Sequence, residues 1–561
     1  MLLLRAREVE WWGTHFADAG ERLVKSTTVL GSLDASRFPF ALAAVAALSF
    51  LGATMAVWPA TGLMVATNSG QLRGVHRRWG GAEFLGIPYA QPPVGALRWR
   101  EPAPMAAWTG VRNAQAFGAP CAQPTLGDWN KHDAEISKED CLYLNVITPV
   151  WPPKNPLPVM LWIHGGANLG GTASSALYND GTLVKHGVVL VTVNYRLGVF
   201  GFLAHPELTR ESAHHASGNY ALMDQIAALR WVRENIARFG GDPGNITVFG
   251  QSAGAEDTGL LMASPLAKDQ FQRAIAESGS SIDPPFPALA DAEKSGQKLA
   301  ALLSAPEGGA IRYLRGKTTA ELVKVSQDSS QAAMLGPDVD GWVIPRSPAE
   351  IFASGGEAAI PMIIGTTTRE FGASATPDDL RKTITNAEGD FAIPALSVYG
   401  LDNGGSGVMN AMYGSAADQW IADVSFRCPI STQAKWHNAA HHPTYEYEFN
   451  HAIPGQEAKG ALHSADLPYV FGFFPKTGNI AGKFTALDRQ IADRIESYWT
   501  NFAKTGSPNG GTLPKWAEFG ASQTYIQFTQ EGRVVTVPAG LRAPQCDLYR
   551  EVLKQQMNPH R

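Results

Sequence analysis

Residues 218–254 have the sequence GNYALMDQIAALRWVRENIARFGGDPGNITVFGQSAG, which combines a helical pattern, a double-glycine stop, a short apolar run and a tight turn. Apolar side chains recur at helical spacing from Asn219 to Phe239, and the two glycines end the pattern. Ile246–Phe249 is an apolar run typical of a strand buried on both faces. The stretch therefore predicts a strand–turn–helix unit with Ser252 at its tip.

The turn in this unit has the composition of a catalytic element. Gly250 to Gly254 match the G-x-S-x-G pattern of a nucleophile elbow, in which a strand reverses sharply into a helix and exposes a serine hydroxyl. Small residues are needed at both ends because the strand must reverse tightly into the helix while Ser252 is held in a strained conformation. The alternative is a purely structural turn. The position between a strand and a helix favours Ser252 as a nucleophile.

Other short apolar runs indicate the rest of the sheet. Each is followed by a turn or loop, and helical patterns such as the one from about Leu487 to Ala503 lie between them. This alternation predicts an α/β fold with one central, mostly parallel sheet. The strand signal fades in residues 281–337 and 371–438, which we expect to be helical cap insertions. The runs are PVMLWI (158–163), VVLVTV (188–193), PMIIG (361–365) and TYEYEF (444–449).

Composition and charge exclude several classes of protein. The 561 residues include 46 basic and 51 acidic side chains, a net charge of −5, so bulk charge does not favour nucleic-acid binding. Hydrophobic residues make up 45% and charged residues 17%, which is a globular composition. No HExxH, paired CxxC, GxGxxG or P-loop motif occurs, so we expect neither a metal nor a cofactor.

A serine nucleophile needs a base, and the base needs an orienting carboxylate. Glu370 follows the strand-like PMIIG, and His463 follows the strand-like TYEYEF, so both lie beyond predicted strand ends, where parallel sheets present functional side chains. Spacing alone leaves other candidates open among the 14 histidines and the neighbouring acids. These rivals are His441, His442, His451, Asp338 and Asp340.

The N-terminal region predicts export. Residues 38–58 form an apolar run, and Thr54-Met55-Ala56 supplies the small residues of a signal-peptidase site, so we expect an extension, 1–56, and one mature domain, 57–561. Acidic residues ahead of the run are atypical of a signal peptide and suggest a start codon near Val24. The alternatives are an uncleaved membrane anchor and a buried helix. We predict a secreted or periplasmic protein.

The chain has four cysteines, Cys121, Cys141, Cys428 and Cys546. Disulfides persist in exported proteins, so two bridges are favoured over four buried thiols. Three pairings are open; in one of them, Cys121 pairs with Cys141 across a short polar loop.

From about Asn68 to Leu553 the chain resembles the type-B carboxylesterases, which are relatives of the cholinesterases within the α/β-hydrolases. The resemblance implies the α/β-hydrolase fold, with Ser252 as nucleophile, Glu370 as the orienting acid and His463 as base. The motifs that carry it are long: GIPYAQPPVGALRWREP, EDCLYLNV, WIHGG, VNYRLGVFGFL, residues 218–254 and HSADLPYVFG.

The same resemblance implies an oxyanion hole. Its loop is Gly165-Gly166-Ala167, and Ala253, the residue after the nucleophile, supplies a further backbone N–H. We expect Gly166, Ala167 and Ala253 to be the donors. The chain has Ala167 where many relatives have a third glycine, and Asn168 where an aromatic residue is common.

Two structural features are also implied by the resemblance. The family's disulfide positions correspond to Cys121–Cys141 and Cys428–Cys546. Arg98 and Glu139 stand where relatives have an ion pair with a structural role.

Departures from the cholinesterases bear on the substrate pocket. Gln251 replaces their glutamate beside the serine, and Trp129 is offset from the choline-binding position, so a cationic substrate is disfavoured. Glu256 lies in the first turn after Ser252, where a carboxylate suits the helix dipole; we expect a solvated or paired acid rather than a substrate contact.

These observations predict an exported serine carboxylesterase that hydrolyses small-molecule esters through an acyl-enzyme, with water as acceptor. The family also includes esterases for bulky polycarboxylic natural products such as fumonisins, and that specialisation is the first alternative. The others are a non-catalytic cholinesterase-like binding module and an acyltransferase that uses an acceptor other than water.

Overall fold

A single sheet runs through the computed structural model, which describes residues 63–282, 285–328, 335–478 and 480–557. Its strands are β1 Leu63–Ala66, β2 Gln71–His76, β3 Ala82–Pro88, β4 Val111–Asn113, β5 Tyr143–Thr148, β6 Leu157–Ile163, β7 Val189–Val193, β8 Gly241–Gln251, β9 Arg273–Glu277, β10 Met362–Thr367, β11 Thr444–Phe449, β12 Tyr525–Phe528 and β13 Val534–Val537.

The helices of the described residues fill most of the connections between these strands. They are α1 Lys131–Ile136, α2 Ala176–Asn179, α3 Gly198–Phe202, α4 Pro206–Glu211, α5 Tyr220–Asn235, α6 Ala253–Ala263, α7 Leu289–Leu302, α8 Ala310–Arg315, α9 Thr319–Gln327, α10 Pro348–Ala353, α11 Pro377–Glu388, α12 Ala392–Val398, α13 Ala416–Ala422, α14 Cys428–Ala439, α15 Leu467–Val470, α16 Ala486–Thr505 and α17 Ala543–Met557.

The centre of the sheet is parallel, as predicted. The strand order is β1-β2-β3-β5-β7-β6-β8-β9-β10-β11-β12-β13, with β4 paired to β2. Every neighbouring pair from β7 to β12 in this order is parallel. The pairs are antiparallel at both margins, that is, from β1 through β2, β3 and β5 to β7 and between β12 and β13. This mixed sheet with helical connections confirms the predicted fold class.

The central strands are mostly apolar because both faces of the sheet are buried. In β6, Leu161 and Ile163 belong to one hydrophobic cluster, whereas Trp162 belongs to a second cluster on the opposite face. In β8, Val248 and Phe249 divide between the same two clusters. Successive side chains of a strand point to opposite faces, so a strand between two cores is largely apolar on both; Thr192 in β7 and Thr247 in β8 are buried exceptions.

Two long helices that flank the sheet each end at a glycine in the left-handed conformation. The pattern predicted from Asn219 to Phe239 forms α5 and a short 3-10 turn, which closes at Gly240 with φ 88°. Helix α16, predicted over about 487–503, begins with a capping box between Thr485 and Asp488 and ends at Gly506 with φ 82°. Both glycines adopt the left-handed conformation that favours this residue at a helix C-terminus.

The two predicted insertions are helical. Helices α7, α8 and α9 lie in the first insertion, and α11 to α14 occupy the second. Part of the second builds a small core of its own, and a π-helical turn, Asp423–Arg427, joins α13 to α14. The core residues are Leu380, Ile384, Ala395, Tyr399, Leu401, Ala416, Ala417 and Trp420.

The predicted N-terminal extension 1–56 and the apolar run 38–58 lie outside the described residues. Among the helices in the described ranges, none combines the length and apolarity that crossing a bilayer requires. The cysteines form the bridges Cys121–Cys141 and Cys428–Cys546, with S–S distances of 2.03 and 2.00 Å.

A buried ion pair joins the N-terminal strands to the first insertion. Nε and Nη2 of Arg98 donate to the two carboxylate oxygens of Glu139 at 2.7 and 2.6 Å. Nη1 of Arg98 donates to the carbonyl oxygens of Leu314 and Arg315 in the last turn of α8 and of Lys317 just beyond it. The guanidinium therefore neutralises a buried carboxylate and also caps the end of a helix.

Arg98→Gln should destabilise the protein by about 3–5 kcal/mol, because it leaves the Glu139 carboxylate buried without its counter-charge. Arg100→Gln is the matched control: its partner Glu211 is 37% exposed and Arg100 itself 48%, so the expected loss is below about 1 kcal/mol. Denaturant unfolding measures both values. Equal losses in the two variants would contradict a structural role for the buried pair.

Candidate active site

Four strands of the parallel part of the sheet, β6, β8, β10 and β11, deliver the predicted site residues to one edge of the sheet. The loop starting at Gly165 follows β6, Ser252 follows β8, Glu370 lies in the turn after β10, and His463 lies in the loop after β11. The carboxyl ends of parallel strands meet at the same edge, where α/β proteins place their functional groups. Residues almost 300 positions apart are brought together in this way.

Ser252 has the backbone of a nucleophile elbow. Its φ of 58° and ψ of −128° lie outside the regions that residues with a Cβ ordinarily adopt. The N–H of Ser252 donates to the carbonyl oxygen of Glu277 in β9 at 2.8 Å, and its own carbonyl accepts from Ala255 and Glu256 in α6. Strand and helix therefore hold the residue from both sides and maintain the strain.

The two glycines of the motif are required by close backbone approach. A Cβ on Gly250 would lie 2.3 Å from the carbonyl oxygen of Gly254. A Cβ on Gly254 would lie 2.1 Å from the carbonyl oxygen of Ile163 in the adjacent strand β6. Both distances are far shorter than a carbon–oxygen contact allows, so any side chain would force α6 away from the sheet.

His463 and Glu370 are directly paired. Nδ1 of His463 lies 2.5 Å from Oε2 of Glu370, and the backbone N–H of His463 donates to the carbonyl oxygen of Glu370 at 2.7 Å. The other carboxylate oxygen accepts from the Thr366 hydroxyl at 2.5 Å and from the Thr367 N–H at 2.8 Å. Both oxygens of this fully buried carboxylate therefore have partners.

These partners keep Glu370 ionised. Burial raises the pKa of its carboxyl group, but the charge of His463 and the hydrogen bonds from His463, Thr366 and Ser278 outweigh it, so the pKa lies below its usual range. A buried carboxylate that stays charged can fix the orientation of an imidazole ring and stabilise its cation.

Gln251 contacts the opposite side of the imidazole. Its Nε2 lies 3.0 Å from Nε2 of His463. An amide N–H can only donate, so Nε2 of His463 is the acceptor and its ring proton resides on Nδ1, toward Glu370. The side chain of Gln251 passes close to Gly165, where a Cβ would lie 3.3 Å from its Oε1. Gln251 therefore lines the site beside Ser252.

The loop after β6 borders the serine. A Cβ on Gly165 would lie 3.0 Å from Cβ of Ser252. Gly166 has φ 116°, and Ala167 has φ 56°, so the loop turns through left-handed conformations. No hydrogen bond among the described residues engages the N–H of Gly166 or of Ala167. Ala253 is the first residue of α6, where an N–H has no intrahelical acceptor.

Buried hydrogen bonds to Asp257 hold this loop in place. Asn168, with φ 58°, donates from Nδ2 to Oδ1 of Asp257 at 3.1 Å, and Gln225 donates to Oδ2 of Asp257 at 2.5 Å. Burial, with the nearby charge of Glu256 adding to it, raises the pKa of Asp257 to about 8, although the two amide hydrogen bonds oppose the rise. Asp257 is thus protonated at neutral pH and anchors the residue after Ala167.

Aromatic rings form the apolar surroundings. Phe371 and Phe426 lie against the His463 ring, with centroid distances of 4.4 and 5.1 Å. Trp129 approaches the loop after β6, because a Cβ on Gly166 would lie 3.2 Å from its ring. Phe371 and Phe426 were not among the site residues predicted from the sequence. Phe371 directly follows Glu370 and could have been found from that position, but Phe426 comes from the π-helical turn and has no local signal.

The rival residues have other partners. His451 contacts Asp488 at 3.0 Å, and His442 contacts Glu357 at 3.3 Å. Asp340 accepts hydrogen bonds from its own loop, at Trp342 and Ile344. His441 is exposed, and Asp338 is buried against Asn219. Among the described residues, His463 is the histidine that contacts both Glu370 and the residue before Ser252.

His164, which precedes the glycine loop, does not supply a base. Its pKa is lowered to about 4 by burial, despite a hydrogen bond to the carbonyl oxygen of Gly165. Its ring stacks on Tyr195 with a centroid distance of 4.5 Å. The neutral ring therefore packs at the start of the glycine loop in a structural role.

Comparison with known proteins gives a consistent result. A family model described as the carboxylesterase family matches residues 61–549. The chain is 36% identical to the fumonisin B1 esterase of Sphingopyxis macrogoltabida, over 81% of this chain and 84% of that protein. It is 34% identical to the cocaine esterase of Homo sapiens, over 88% and 91% of the two chains. Identity to carboxylesterase 4A of Bos taurus is 35%, over 83% and 91%.

The raised pKa of Asp257 has a consequence for stability. Between pH values of about 4 and about 8 the folded protein binds more protons at this group than the unfolded chain, so its free energy of unfolding falls as pH rises. Asp257→Asn does not titrate. We expect the variant to gain stability relative to wild type across this window, by on the order of a few kcal/mol, and to gain no more at higher pH. Denaturant unfolding at a series of pH values measures the difference; a difference independent of pH would contradict the assignment.

Proposed function

The chain belongs to the carboxylesterase family, and from this premise we propose that it is an exported serine esterase with Ser252 as nucleophile, His463 as base and Glu370 as orienting acid. Membership of the family, with esterases among the relatives, makes it a carboxylic ester hydrolase. The observation that carries the assignment of residues is the 2.5 Å contact between His463 and Glu370 beside the elbow of Ser252.

In the first half of the reaction, the hydroxyl of Ser252 attacks the ester carbonyl carbon while Nε2 of His463 accepts its proton. In this structure the amide N–H of Gln251 points at the lone pair of Nε2, so it must move aside before the hydroxyl of Ser252 can donate its proton there. The imidazolium then protonates the leaving alcohol, and an acyl-enzyme remains on Ser252.

The developing oxyanion is stabilised by backbone N–H groups. Gly166, Ala167 and Ala253 are the donors in this proposal. The N–H groups of the first two have no acceptor within the part of the chain that the structure describes, and the third begins a helix whose dipole favours negative charge. Losing one such donor typically reduces the rate by about 10²–10³. The Asp257–Asn168 hydrogen bond would keep this loop in its left-handed conformation.

In the second half, His463 removes a proton from water, which attacks the acyl carbon, and the protonated ring then returns a proton to Oγ of Ser252. Glu370 keeps the ring oriented and offsets its positive charge in both halves. No external reductant, oxidant or group carrier is needed, because hydrolysis consumes water alone.

A bulky, polycarboxylic natural-product ester is the second candidate substrate class. A fumonisin B1 esterase at 36% identity favours it, whereas a cocaine esterase at 34% shows that family members act on other esters. The aromatic rings of Trp129, Phe371 and Phe426 suit an apolar part of either substrate. Gln251, which is neutral, offers no negative charge to a cationic substrate.

Ser252→Ala should lower turnover of p-nitrophenyl esters by about 10⁴–10⁶, since it removes the nucleophile. The purified protein is assayed with acetate to dodecanoate esters, and circular dichroism checks the fold. Ser264→Ala is the matched control, because Ser264 lies at the far end of the same helix and should retain activity. Near-wild-type turnover by the Ser252 variant would refute the assignment.

The same assay separates the candidate substrates. Hydrolysis of the simple esters by wild type alone supports a general carboxylesterase, and the acyl-length profile gives its preference. Hydrolysis confined to a bulky polycarboxylic ester such as fumonisin B1 supports the specialised enzyme. A product that forms only with an added alcohol acceptor supports an acyltransferase, and no turnover of any ester supports the non-catalytic alternative.

Export is proposed from the apolar run 38–58, the small residues before Val57 and the two disulfides, which persist in oxidising compartments. The mature chain, 57–561, would be a single hydrolase domain. N-terminal sequencing of protein recovered from the exported fraction should give Val57 as the first residue. Recovery of residues 38–56 on a membrane-bound product would favour the anchor instead.

A further inference from the structure

Three side chains of metal-ligand type meet at the opposite end of strands β10 and β11 from the proposed active site. Glu357 lies in the loop before β10, His437 in the last turn of α14, and His442 just before β11. Their ligand atoms come within 4.8 Å of one another. The cluster plays no part in the ester hydrolysis proposed above.

The spacing of the three atoms matches a small tetrahedral ion. Oε1 of Glu357 lies 2.8 Å from Nδ1 of His437 and 3.3 Å from Nδ1 of His442, and the two nitrogens are 3.3 Å apart. Zinc binds imidazole nitrogen at about 2.0–2.1 Å, so two ligands of a tetrahedral zinc ion are about 3.3 Å apart. Two sides of the observed triangle have this length, and the third, between Glu357 and His437 at 2.8 Å, would lengthen by about 0.5 Å on zinc binding.

The tautomer of His437 directs the lone pair of Nδ1 into the cluster. Nε2 of His437 lies 2.9 Å from the carbonyl oxygen of Ile360, which can only accept, so Nε2 carries the ring hydrogen. In the neutral ring Nδ1 then presents a lone pair to Glu357. Metal-binding histidines characteristically donate their second N–H to a backbone carbonyl in this way, because the bond fixes the tautomer and the ring orientation.

The carboxylate lacks a full set of partners. Glu357 is 6% exposed, and its Oε2 is buried without a hydrogen-bond partner among the described residues. A buried carboxylate is costly unless a counter-charge or hydrogen bonds compensate it. The His437 side chain is fully buried, whereas that of His442 is 15% exposed, so the cluster has one side open to solvent.

We propose that Glu357, His437 and His442 bind a zinc ion, with water completing the coordination on the exposed side of His442. Imidazole nitrogens combined with a carboxylate oxygen at tetrahedral spacing favour zinc over calcium or magnesium, which prefer oxygen ligands. The ion would join three segments at the amino-terminal ends of β10 and β11. It would therefore stabilise the fold, at a distance from Ser252 set by the length of these strands, roughly 15–20 Å.

No short sequence motif identifies this site, because its ligands are far apart in the sequence. Glu357 and His437 are 80 residues apart, and the HExxH and CxxC patterns require ligands within one helix or one turn. The loop of Glu357 is also tied to helix α6, since the N–H of Ala358 donates to the carbonyl oxygen of Met262 at 2.8 Å.

The test measures zinc directly on the purified full-length protein. The protein is stripped with a chelator, dialysed against zinc chloride and analysed for metal content and thermal unfolding. We expect one zinc ion at this site and a rise in Tm of about 2–3 °C at a hundredfold excess over Kd. Cobalt(II) in place of zinc should give the intense visible absorption of tetrahedral coordination. None of these readouts depends on ester hydrolysis.

A pair of adjacent histidines supplies the control. His442→Gln removes a ligand and should weaken zinc binding by at least about 100-fold, with loss of the Tm shift. His441→Asn changes an exposed neighbour whose φ of 63° suits asparagine, and it should bind zinc as wild type does. Glu357→Gln provides a second ligand variant. Equal zinc binding by wild type and His442→Gln, or no zinc on the wild type, would overturn the site.

Discussion

The strained backbone of Ser252 is the constraint on which the arrangement of the site depends. A residue with a Cβ adopts φ 58° and ψ −128° only where the surrounding structure compensates the cost. Strand β9 holds the N–H of Ser252, helix α6 holds its carbonyl, and the bare backbones of Gly250 and Gly254 allow helix and strand to approach. The apolar sheet beneath, buried on both faces, supplies the packing free energy that maintains this geometry.

Two fully buried carboxyl groups near the elbow have opposite pKa shifts because their neighbours differ. Glu370 faces His463 and accepts hydrogen bonds on both oxygens, so its pKa falls despite burial. Burial raises the pKa of Asp257 to about 8, the like charge of Glu256 adds to the rise, and the two amide hydrogen bonds do not offset it. The first arrangement suits an acid that must stabilise a cation during proton transfer. The second suits a neutral anchor for the loop that begins at Gly165.

Strands β10 and β11 act as a scaffold with a different role at each end. At their carboxyl ends the turns place Glu370 and His463, and the register of the pair brings the backbone of these two residues within hydrogen-bonding distance. At their amino ends the same strands gather Glu357 and His442. A parallel pair fixes both ends together, because a shift of register at one end would displace the other.

The sequence by itself determined the elbow, the apolar central strands and the two long helices, α5 and α16. Their determinants, such as the glycines around Ser252 and Gly240, lie within a few residues of the feature they specify. Spacing alone left His463 open against His442 and His451, and the family resemblance singled it out; only the tertiary structure places it in contact with Glu370, 93 residues away. It also brought Phe426 and the zinc ligands into place. Strand order and register bring together residues that are distant in the sequence, and no local pattern records them.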